Sequence, residues 1–312
     1  MSLRQAKVSV VIPAYNSAPC IRDAVESALG QGYGDMEVIV VDDGSTDGTK
    51  EALADLAGAG KVVYIYQENR GAGAARNAGV RVSGGEYIAF LDSDDLWLEG
   101  KIEKQVAFME SRGLDAVFCA GYYSRPDGSS RLVRPAVRGD GGFFDMLSAE
   151  ARFVPTAGLF RKEALEGAGL FNEGLPCAED WDLWVRMART ARFGYLDLPL
   201  YKKRYNEVSL TSKTIDKVVS VLKGVLVIAG EAGFGRKDTG IIKKRFAKEC
   251  FISARKCMSA LKLADGLRAY YWSCQMAPSY MPKIFGLLAR YARFSLKNRH
   301  LPGSAVSSRR RL

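Results

Sequence analysis

Continuous hydrophobic runs alternate with amphipathic segments along the first two thirds of the chain. The runs are VSVVI (8–12), EVIVV (37–41), VVYIY (62–66), YIAFL (87–91) and AVFCA (116–120). Because polar residues do not alternate regularly with the apolar ones, these runs are typical of strands covered on both faces of a sheet. Between them, apolar residues recur at three- and four-residue spacing, which predicts helices near 21–29, 46–56, 72–82 and 98–111. We therefore predict an α/β fold with a mostly parallel central sheet flanked by helices.

The last hundred residues have a different character. Three segments, 215–230, 239–264 and 281–299, show helical periodicity with Lys and Arg between the apolar positions. Residues 1–212 hold 24 Lys and Arg against 30 Asp and Glu, a net charge of −6, whereas residues 213–312 hold 21 against 5, a net charge of +16. Because such a change indicates parts with different tasks, we predict an α/β domain over 1–212 and a basic helical extension over 213–312.

Composition limits the classes of protein to which the chain can belong. The chain has 312 residues, and 47% of them are hydrophobic, which is enough for a sizeable core. No apolar run reaches the roughly 20 residues that a membrane-spanning helix needs, and the N-terminal MSLRQAKVSVVIP lacks the apolar region of a secretory signal. The six cysteines are irregularly spaced and form no C-x-x-C pair. These features predict a cytoplasmic protein with reduced thiols.

Polar residues cluster where three of the predicted strands end. PAYN (13–16) follows the first strand, DDGSTDGT (42–49) follows the second, and LDSDD (91–95) follows the fourth. Ligands of parallel sheets bind beyond the carboxyl ends of the strands, so we expect these clusters to meet at one edge. Any single cluster is also explained by helix capping. Two carboxylates one residue apart, Asp92 and Asp94, suit Mg²⁺ or Mn²⁺, cations that usually bridge to substrate phosphates.

Five motifs occur in the same order as in a known enzyme family. They are VSVVIPAYN, VIVVDDGSTDGT, ENRGAGAARNAGV, YIAFLDSDD and AEDWDLWVRMA, spread over about residues 7–212. Together they resemble the family 2 glycosyltransferases, which have the GT-A fold. The resemblance implies an inverting transfer of sugar from a nucleotide-diphosphate sugar, usually a UDP-sugar, to a hydroxyl acceptor. It also implies dependence on Mn²⁺ or Mg²⁺ and a role in cell-surface polysaccharide or glycolipid synthesis.

The resemblance also assigns residues to the donor site. Asp94 resembles the metal ligand of the family, and Asp92 resembles its partner on the ribose side. Tyr15 is placed to stack on the base, while Arg76, one turn into a helix after a Gly-rich loop, can reach the diphosphate or the Asp cluster. The residues matched to nucleotide-sugar binding are Pro13, Ala14, Tyr15, Asn16, Asp42, Asp43, Asn69, Arg76, Asp92 and Ser93.

The segment CAEDWDLWVRMA (177–188) is the candidate for proton transfer. Read as a helix, it places Asp180 in line with the apolar residues Leu183, Trp184 and Met187. Transfer to a hydroxyl with inversion needs a base that accepts the hydroxyl proton, and the resemblance assigns this role to Asp180. Capping of the helix is the alternative role for Asp180. We predict that Asp182 pairs with Arg186 at i+4, and that Glu179 lies at the rim.

Other readings of these motifs are weaker. GAGAAR (71–76) follows the third strand instead of the first and has Arg76 where a dinucleotide-binding fingerprint needs its third Gly. DDGSTDGT lacks the EF-hand spacing. A nucleotidyltransferase would carry a Gly-rich, Lys-containing signature after the first strand, and a non-catalytic nucleotide-binding or membrane-associated protein would be expected to lack Asp94 or Asp180.

Family members often carry a His where this chain has Asn206, so the role of that position is open.

The third basic segment, 281–299, resembles an interfacial helix. Its apolar stripe is flanked by Lys and Arg, which is typical of helices attracted to anionic lipid. We expect either peripheral binding at the inner face of the membrane, where a lipid-linked acceptor would be met, or packing of the stripe on the protein itself. No nucleic-acid recognition motif accompanies the basic charge, so nucleic acid is not an expected partner. The stripe comprises Ile284, Phe285, Leu288, Tyr291 and Phe294.

Overall fold

The computed structural model describes residues 6–125, 127–134, 142–148, 153–175, 179–204, 234–259 and 263–299. The strands are β1 (Val8–Ala14), β2 (Met36–Asp43), β3 (Val63–Gln67), β4 (Tyr87–Phe90), β5 (Asp95–Trp97), β6 (Ala116–Ser124), β7 (Ser130–Val133), β8 (Gly158–Arg161) and β9 (Phe193–Lys203). The helices are α1 (Ile21–Leu29), α2 (Ala54–Gly58), α3 (Ala72–Val82), α4 (Lys101–Arg112), α5 (Phe143–Ser148), α6 (Lys162–Gly167), α7 (Glu179–Met187), α8 (Arg236–Ser259), α9 (Leu263–Met276) and α10 (Ile284–Arg299).

One sheet runs through the described part of the chain in the order β3-β2-β1-β4-β8-β6-β9-β5, with β7 paired to β6. Strands β1 to β4 are parallel, as are β6 and β9, whereas β8 is antiparallel to both of its neighbours. Strand β5 is antiparallel to β9 and begins at Asp95. The predicted α/β class with a mostly parallel sheet is therefore confirmed, and the carboxyl ends of β1, β2 and β4 lie side by side.

The central strands are buried because both faces of the sheet are covered. Every residue of β4 is buried, and so are six of the seven residues of β1. The same hydrophobic cluster continues into α8 through Ile242, Phe246, Cys250 and Ala254. Helix α8 thus packs directly on the α/β part, although the C-terminal part is basic and residues 1–212 are acidic.

The predicted helix at 46–56 is wrong in its first half. The chain forms a 3₁₀ turn at Glu51–Leu53, and α2 starts only at Ala54. The preceding loop is held instead by side chains, since the Asp47 carboxylate accepts hydrogen bonds from the Thr49 amide at 3.0 Å and from the Ala18 amide at 3.1 Å. Short Asp, Ser and Thr side chains offer the backbone partners that compete with a helix.

The three helical segments predicted for the C-terminal part have different outcomes. Segment 239–264 falls on α8 and the start of α9, and segment 281–299 falls on α10 and the 3₁₀ turn Pro278–Lys283 before it. Segment 215–230 lies outside the described residues, as does Asn206. Among the helices that are described, none combines the length and the apolar character that a membrane crossing requires.

Candidate active site

The three polar clusters meet at the carboxyl edge of the sheet, as the sequence predicts. The Asn16 side-chain oxygen accepts a hydrogen bond from the Thr46 amide at 2.8 Å, which joins the first loop to the second. The hydroxyls of Ser17 and Ser93 lie 2.8 Å apart, which joins the first loop to the fourth. Asn16 has a φ of +47°, a left-handed conformation that Asn tolerates better than most residues. A residue in this conformation thus supplies one of the contacts between the loops.

Asp42 and Asp43 are both buried, and their carboxylates order the neighbouring loops. Asp42 accepts hydrogen bonds from the Ser45 amide at 2.8 Å and from the Tyr64 hydroxyl. Asp43 accepts from the amides of Arg70 at 2.9 Å and Gly71 at 2.7 Å. The two residues thus fix the shape of this edge through their hydrogen bonds to the chain.

The remaining residues matched to the donor differ in exposure. Tyr15 is 52% exposed beside the first loop, where its ring is available for stacking. Pro13 is partly buried and Ala14 is buried, since both end β1. Asn69 is exposed, and its backbone lies so close to Gly44 (φ +80°) that a Cβ there would lie 2.9 Å from the Asn69 amide nitrogen. These residues line the same edge, where Tyr15 and Asn69 are exposed and Pro13 and Ala14 are not.

Three carboxylates after β4 could hold a cation. One oxygen from each of Asp92, Asp94 and Asp95 can be chosen so that all three lie within 4.8 Å of one another. Asp92 and Asp94 are partly exposed, whereas Asp95 is fully buried. Oxygen donors at this spacing fit a hard divalent ion such as Mg²⁺ or Mn²⁺. The donor set therefore suits the metal that the sequence led us to expect.

Two cations offset the charge of these carboxylates. Arg76 is buried and donates to Asp92 at 2.9 Å, and the Lys203 ammonium lies 3.6 Å from Asp92 and 3.2 Å from Asp95. Burial acts to raise the pKa of Asp92, but Arg76 and Lys203 outweigh it and hold that pKa below its ordinary value. Burial likewise acts to lower the pKa of Lys203, and Asp95 and Asp92 together raise it well above its usual range. Both partners therefore stay charged.

Arg76 also connects the metal-type cluster to the helix that carries Asp180. The other terminal nitrogen of Arg76 donates a hydrogen bond to the Glu179 carboxylate at 2.7 Å. The two residues are 103 positions apart in the chain. Glu179 is only 16% exposed in its side chain, so its expected place at the rim is wrong. A buried charge costs free energy unless it is paired, and here the pairing brings α3, the end of β4 and the start of α7 together.

Asp180 is partly buried in the first turn of α7, next to Glu179. Its carboxylate accepts a hydrogen bond from the Trp181 amide at 2.8 Å. Burial, with a further contribution from the Glu179 carboxylate, raises the pKa of Asp180 to about 7. A carboxylate with that pKa is suited to accepting a proton near neutral pH. The expected Asp182–Arg186 pair is confirmed at 2.6 Å, and Leu183, Trp184 and Met187 are buried as predicted.

Several side chains of the site were missed in the sequence analysis. The sequence pattern puts Glu179 at the rim and assigns no role to Lys203 or Thr156. Lys203 ends β9, the strand that pairs with β5, and Thr156 donates to Asp95 at 2.8 Å. Only the pairing of distant segments brings them to the Asp cluster. The one available sequence signal was Lys203 itself, in the stretch YKKRYN near the end of the last strand.

The sequence comparisons point to one family. The profile described as "Glycosyl transferase family 2" matches residues 9–168. An uncharacterized glycosyltransferase of Rickettsia typhi is 34% identical over 223 residues, which cover 68% of this chain and 68% of that protein. The putative teichuronic acid biosynthesis glycosyltransferase TuaG of Bacillus subtilis is 42% identical over 124 residues, 39% of this chain and 49% of the relative. The matched regions span only 35%, 34% and 29% of the lengths of three longer Rickettsia relatives.

Two solved structures are similar over nearly the whole chain. S. aureus TarS 1-349, in complex with UDP-GlcNAc, matches with a TM-score of 0.71 at 21% identity, over 94% of this chain and 89% of that one. The mannosyltransferase PcManGT of Pyrobaculum calidifontis, in complex with GDP-Man and Mn²⁺, matches with a TM-score of 0.61 at 20% identity, over 95% and 88% of the two chains. At these identities the likenesses establish a shared GT-A fold.

Proposed function

Because the chain belongs to glycosyl transferase family 2, we propose that it moves a sugar from a nucleotide-diphosphate sugar, with UDP as the nucleotide, to a hydroxyl acceptor. The observation that carries this proposal is the ion-pair chain Asp92–Arg76–Glu179, which links the candidate metal carboxylates to the helix of Asp180. A donor-binding group and a candidate base then lie at the same edge of the sheet. The nucleotide sugars bound by TarS and PcManGT support the donor class.

In this proposal Asp94 and Asp92 hold a divalent cation, Mn²⁺ or Mg²⁺. Bound there, the cation would offset the negative charge of the donor diphosphate as the bond to the sugar breaks. The other residues of the edge bind and orient the donor. Tyr15 stacks on the base, while Asn16 and Ser93 keep the loops in contact, and Asp42 and Asp43 fix the loops that face the nucleoside.

Asp180 acts as the base in this proposal. Its carboxylate accepts the proton of the acceptor hydroxyl while that oxygen attacks the anomeric carbon from the side opposite the leaving nucleotide, so the configuration inverts. The raised pKa, about 7, makes it a stronger base than an exposed carboxylate while a large fraction remains ionised at neutral pH. Glu179 keeps its own charge directed at Arg76 and so leaves Asp180 to accept the proton.

The acceptor and the place of action are part of the same proposal. The teichuronic acid relative supports a cell-surface polysaccharide or glycolipid as the product. A lipid-linked acceptor would be reached from the inner face of the cytoplasmic membrane. The exposed side chains of Phe285 (77%) and Leu288 (43%) on α10, close to Lys283 and Arg293, support reversible peripheral binding of 281–299 to anionic lipid.

A nucleotide panel tests the donor and the metal together. Thermal unfolding of the full chain is measured with UDP, GDP or dTDP, each with and without Mn²⁺, because a ligand of the native state raises the unfolding temperature by mass action. We expect the largest rise with UDP plus Mn²⁺, and a much smaller rise when Asp94 is replaced by Asn. An equal rise for Asp94→Asn would contradict the metal assignment, and a larger rise with GDP or dTDP would contradict UDP.

A further inference from the structure

The segment Asp92 to Asp95 forms a tight turn whose two ends are held from outside. Within it, the Asp95 amide donates to the Asp92 carbonyl oxygen at 3.0 Å. From outside, the hydroxyl of Thr156 accepts a hydrogen bond from the Asp92 amide at 3.1 Å and donates to Asp95 Oδ2 at 2.8 Å. One hydroxyl thus contacts both ends of the turn that carries Asp94.

Of the three clustered carboxylates, Asp95 is the one that holds the turn in place. It is fully buried, and both of its oxygens are engaged. Oδ2 accepts hydrogen bonds from the Thr156 hydroxyl and the Lys203 ammonium. Oδ1 accepts one from the Arg204 amide at 3.2 Å. Asp92 and Asp94 are the partly exposed carboxylates of the three. The position of these two carboxylates is consequently set by how Asp95 and the Asp92 amide are held.

Thr156 is itself fixed in place. It is fully buried in the 3₁₀ turn Pro155–Ala157, and its carbonyl oxygen accepts from the Trp97 indole at 3.0 Å. The next carbonyl, of Ala157, accepts from the Gln105 side chain at 3.0 Å. A side chain whose following backbone is fixed by two such hydrogen bonds can impose its geometry on a neighbouring turn.

We propose that Thr156 is a positioning residue for the cation site: its single hydroxyl orients the turn 92–95 so that the carboxylates of Asp92 and Asp94 converge on one divalent ion. This inference rests on the proposed function, since it concerns the metal that the proposed donor site would hold. A buried hydroxyl with only a structural role would affect the stability of the protein and leave the affinity of the folded protein for the ion unchanged.

The test is the dissociation constant for Mn²⁺, measured by calorimetry on the full chain in the presence of UDP, with no turnover required. Thr156→Val keeps the volume and removes the hydroxyl, so we expect Mn²⁺ binding to weaken by roughly tenfold or more, the usual effect of losing an outer-shell hydrogen bond. Thr156→Ser retains the hydroxyl and should stay close to the parent. If Thr156→Val does not fold, Thr156→Ala removes the same hydroxyl and is interpreted in the same way.

Ser273→Ala is the matched control. Ser273 is also fully buried and donates to the Ala247 carbonyl oxygen at 2.9 Å, but it lies on α9 in the C-terminal part. It should lower the unfolding temperature without changing Mn²⁺ affinity. Parent-like Mn²⁺ binding by Thr156→Val, or equal weakening by Thr156→Ser, would overturn the inference alone. If the parent protein binds no Mn²⁺ with UDP, the metal part of the proposed function falls, and this inference falls with it.

Discussion

Three cationic side chains of this protein, Arg76, Lys203 and Lys101, are stabilised in different ways. Arg76 and Lys203 are each paired with carboxylates. Lys101 is fully buried on α4, where its ammonium donates a hydrogen bond to Gln105 at 2.6 Å and lies 4.2 Å from the centre of the Trp97 ring. Burial lowers the pKa of Lys101 to about 8, because these neighbours replace only part of its hydration.

The lowered pKa of Lys101 predicts a pH-dependent stability. The unfolded chain binds the Lys101 proton up to its ordinary pKa of 10.5, whereas the folded chain releases it above about 8. Between these values the unfolded state holds more protons, so the free energy of unfolding should rise with pH. From pH 7.5 to 9.5 the expected gain is about 2 kcal/mol, as each unit of pKa shift corresponds to roughly 1.4 kcal/mol.

Urea unfolding of the parent and of Lys101→Met at the two pH values checks this expectation. Other groups titrate in the same range, but they are shared by both proteins, so the difference between the two isolates Lys101. The parent should gain about 2 kcal/mol relative to Lys101→Met on going to pH 9.5. A difference that does not change with pH would mean that Lys101 keeps its ordinary pKa in the fold.

The sequence located some of the site residues and not others for a physical reason. Asp92 and Asp94 belong to a short motif at a strand end, and Asp180 stands in register with an apolar face, so local patterns were sufficient. Glu179 was misplaced because its partner, Arg76, is 103 residues away. Thr156 could not be predicted, because nothing in the sequence around it indicates that it donates a hydrogen bond to Asp95, 61 residues earlier.

At the scale of elements, α7 is held by contacts on both sides of Trp181. The Trp181 ring lies 5.8 Å from the ring of Phe153 and 5.5 Å from that of Phe246 on α8, both in edge-on geometry. The Arg245 guanidinium is 5.8 Å from the Trp181 ring. Phe246 and Arg245 belong to α8, and Trp181 follows Asp180 directly in the chain. Helix α8 therefore helps to determine where the candidate base lies.

Replacing Phe246 by Leu should therefore reduce catalysis from a distance. The smaller side chain leaves Trp181 less well packed, and a small displacement of a reacting group is expensive in rate, so we expect kcat to fall by about tenfold. Nucleotide affinity should be unchanged, since the change acts through the contact of Phe246 with Trp181 on α7. The measurement is kcat together with the dissociation constant for the nucleotide.

Phe251→Leu serves as the control for this change. Phe251 also lies on α8 and packs against Tyr280, 5.1 Å between ring centres, away from Trp181. Both variants should lose about 1 kcal/mol of stability, a usual value for a point mutation. If Phe251→Leu lowers kcat as much as Phe246→Leu does, the effect is a general loosening of the C-terminal part and not a displacement of α7.

Element boundaries were predicted well where apolar packing decides them and poorly where polar side chains do. Helix α3 was expected over 72–82 and observed there, because its buried face matches the periodicity. The segment 46–56 has similar periodicity, but in its first half the Asp47 carboxylate accepts hydrogen bonds from the amide and the hydroxyl of Thr49. The antiparallel insertion of β8 between β4 and β6 also left no signal, since strand pairing depends on distant segments.

For the whole molecule, the proposed division into 1–212 and 213–312 raises the question of what the basic part contacts. The predicted apolar stripe of α10 is divided in the structure. Tyr291 packs against the common hydrophobic cluster, whereas Phe285 and Leu288 are exposed. Met281, in the preceding turn, is 55% exposed as well. Part of the stripe thus stabilises the fold, and part is exposed.

Sedimentation with lipid vesicles tests the proposed membrane contact. The full chain should sediment with anionic vesicles at low salt and be released at high salt, because each Lys or Arg near the surface contributes about 1 kcal/mol of screened attraction. Phe285→Glu combined with Leu288→Glu should weaken this binding without unfolding the protein, as both positions are exposed.

Val82→Glu provides the comparison for added negative charge. Val82 is an exposed apolar residue (55%) at the end of α3, far along the chain from α10. It should sediment with the vesicles as the parent does. Failure of the parent to bind anionic vesicles at low salt would disprove the membrane contact, and equal loss for Val82→Glu would show that net charge alone is responsible.

The central claim is that Asp180 accepts a proton during glycosyl transfer, and its most direct test is the turnover number of Asp180→Asn. Asn keeps the size of the side chain and its ability to accept the Trp181 hydrogen bond, but it is no longer a base. With the nucleotide sugar that stabilises the protein most, release of the nucleotide diphosphate should slow by about 10²- to 10⁴-fold, while nucleotide affinity stays the same. An unchanged turnover number would contradict the account and transfer the role of base to another residue, with Glu179 the first to examine.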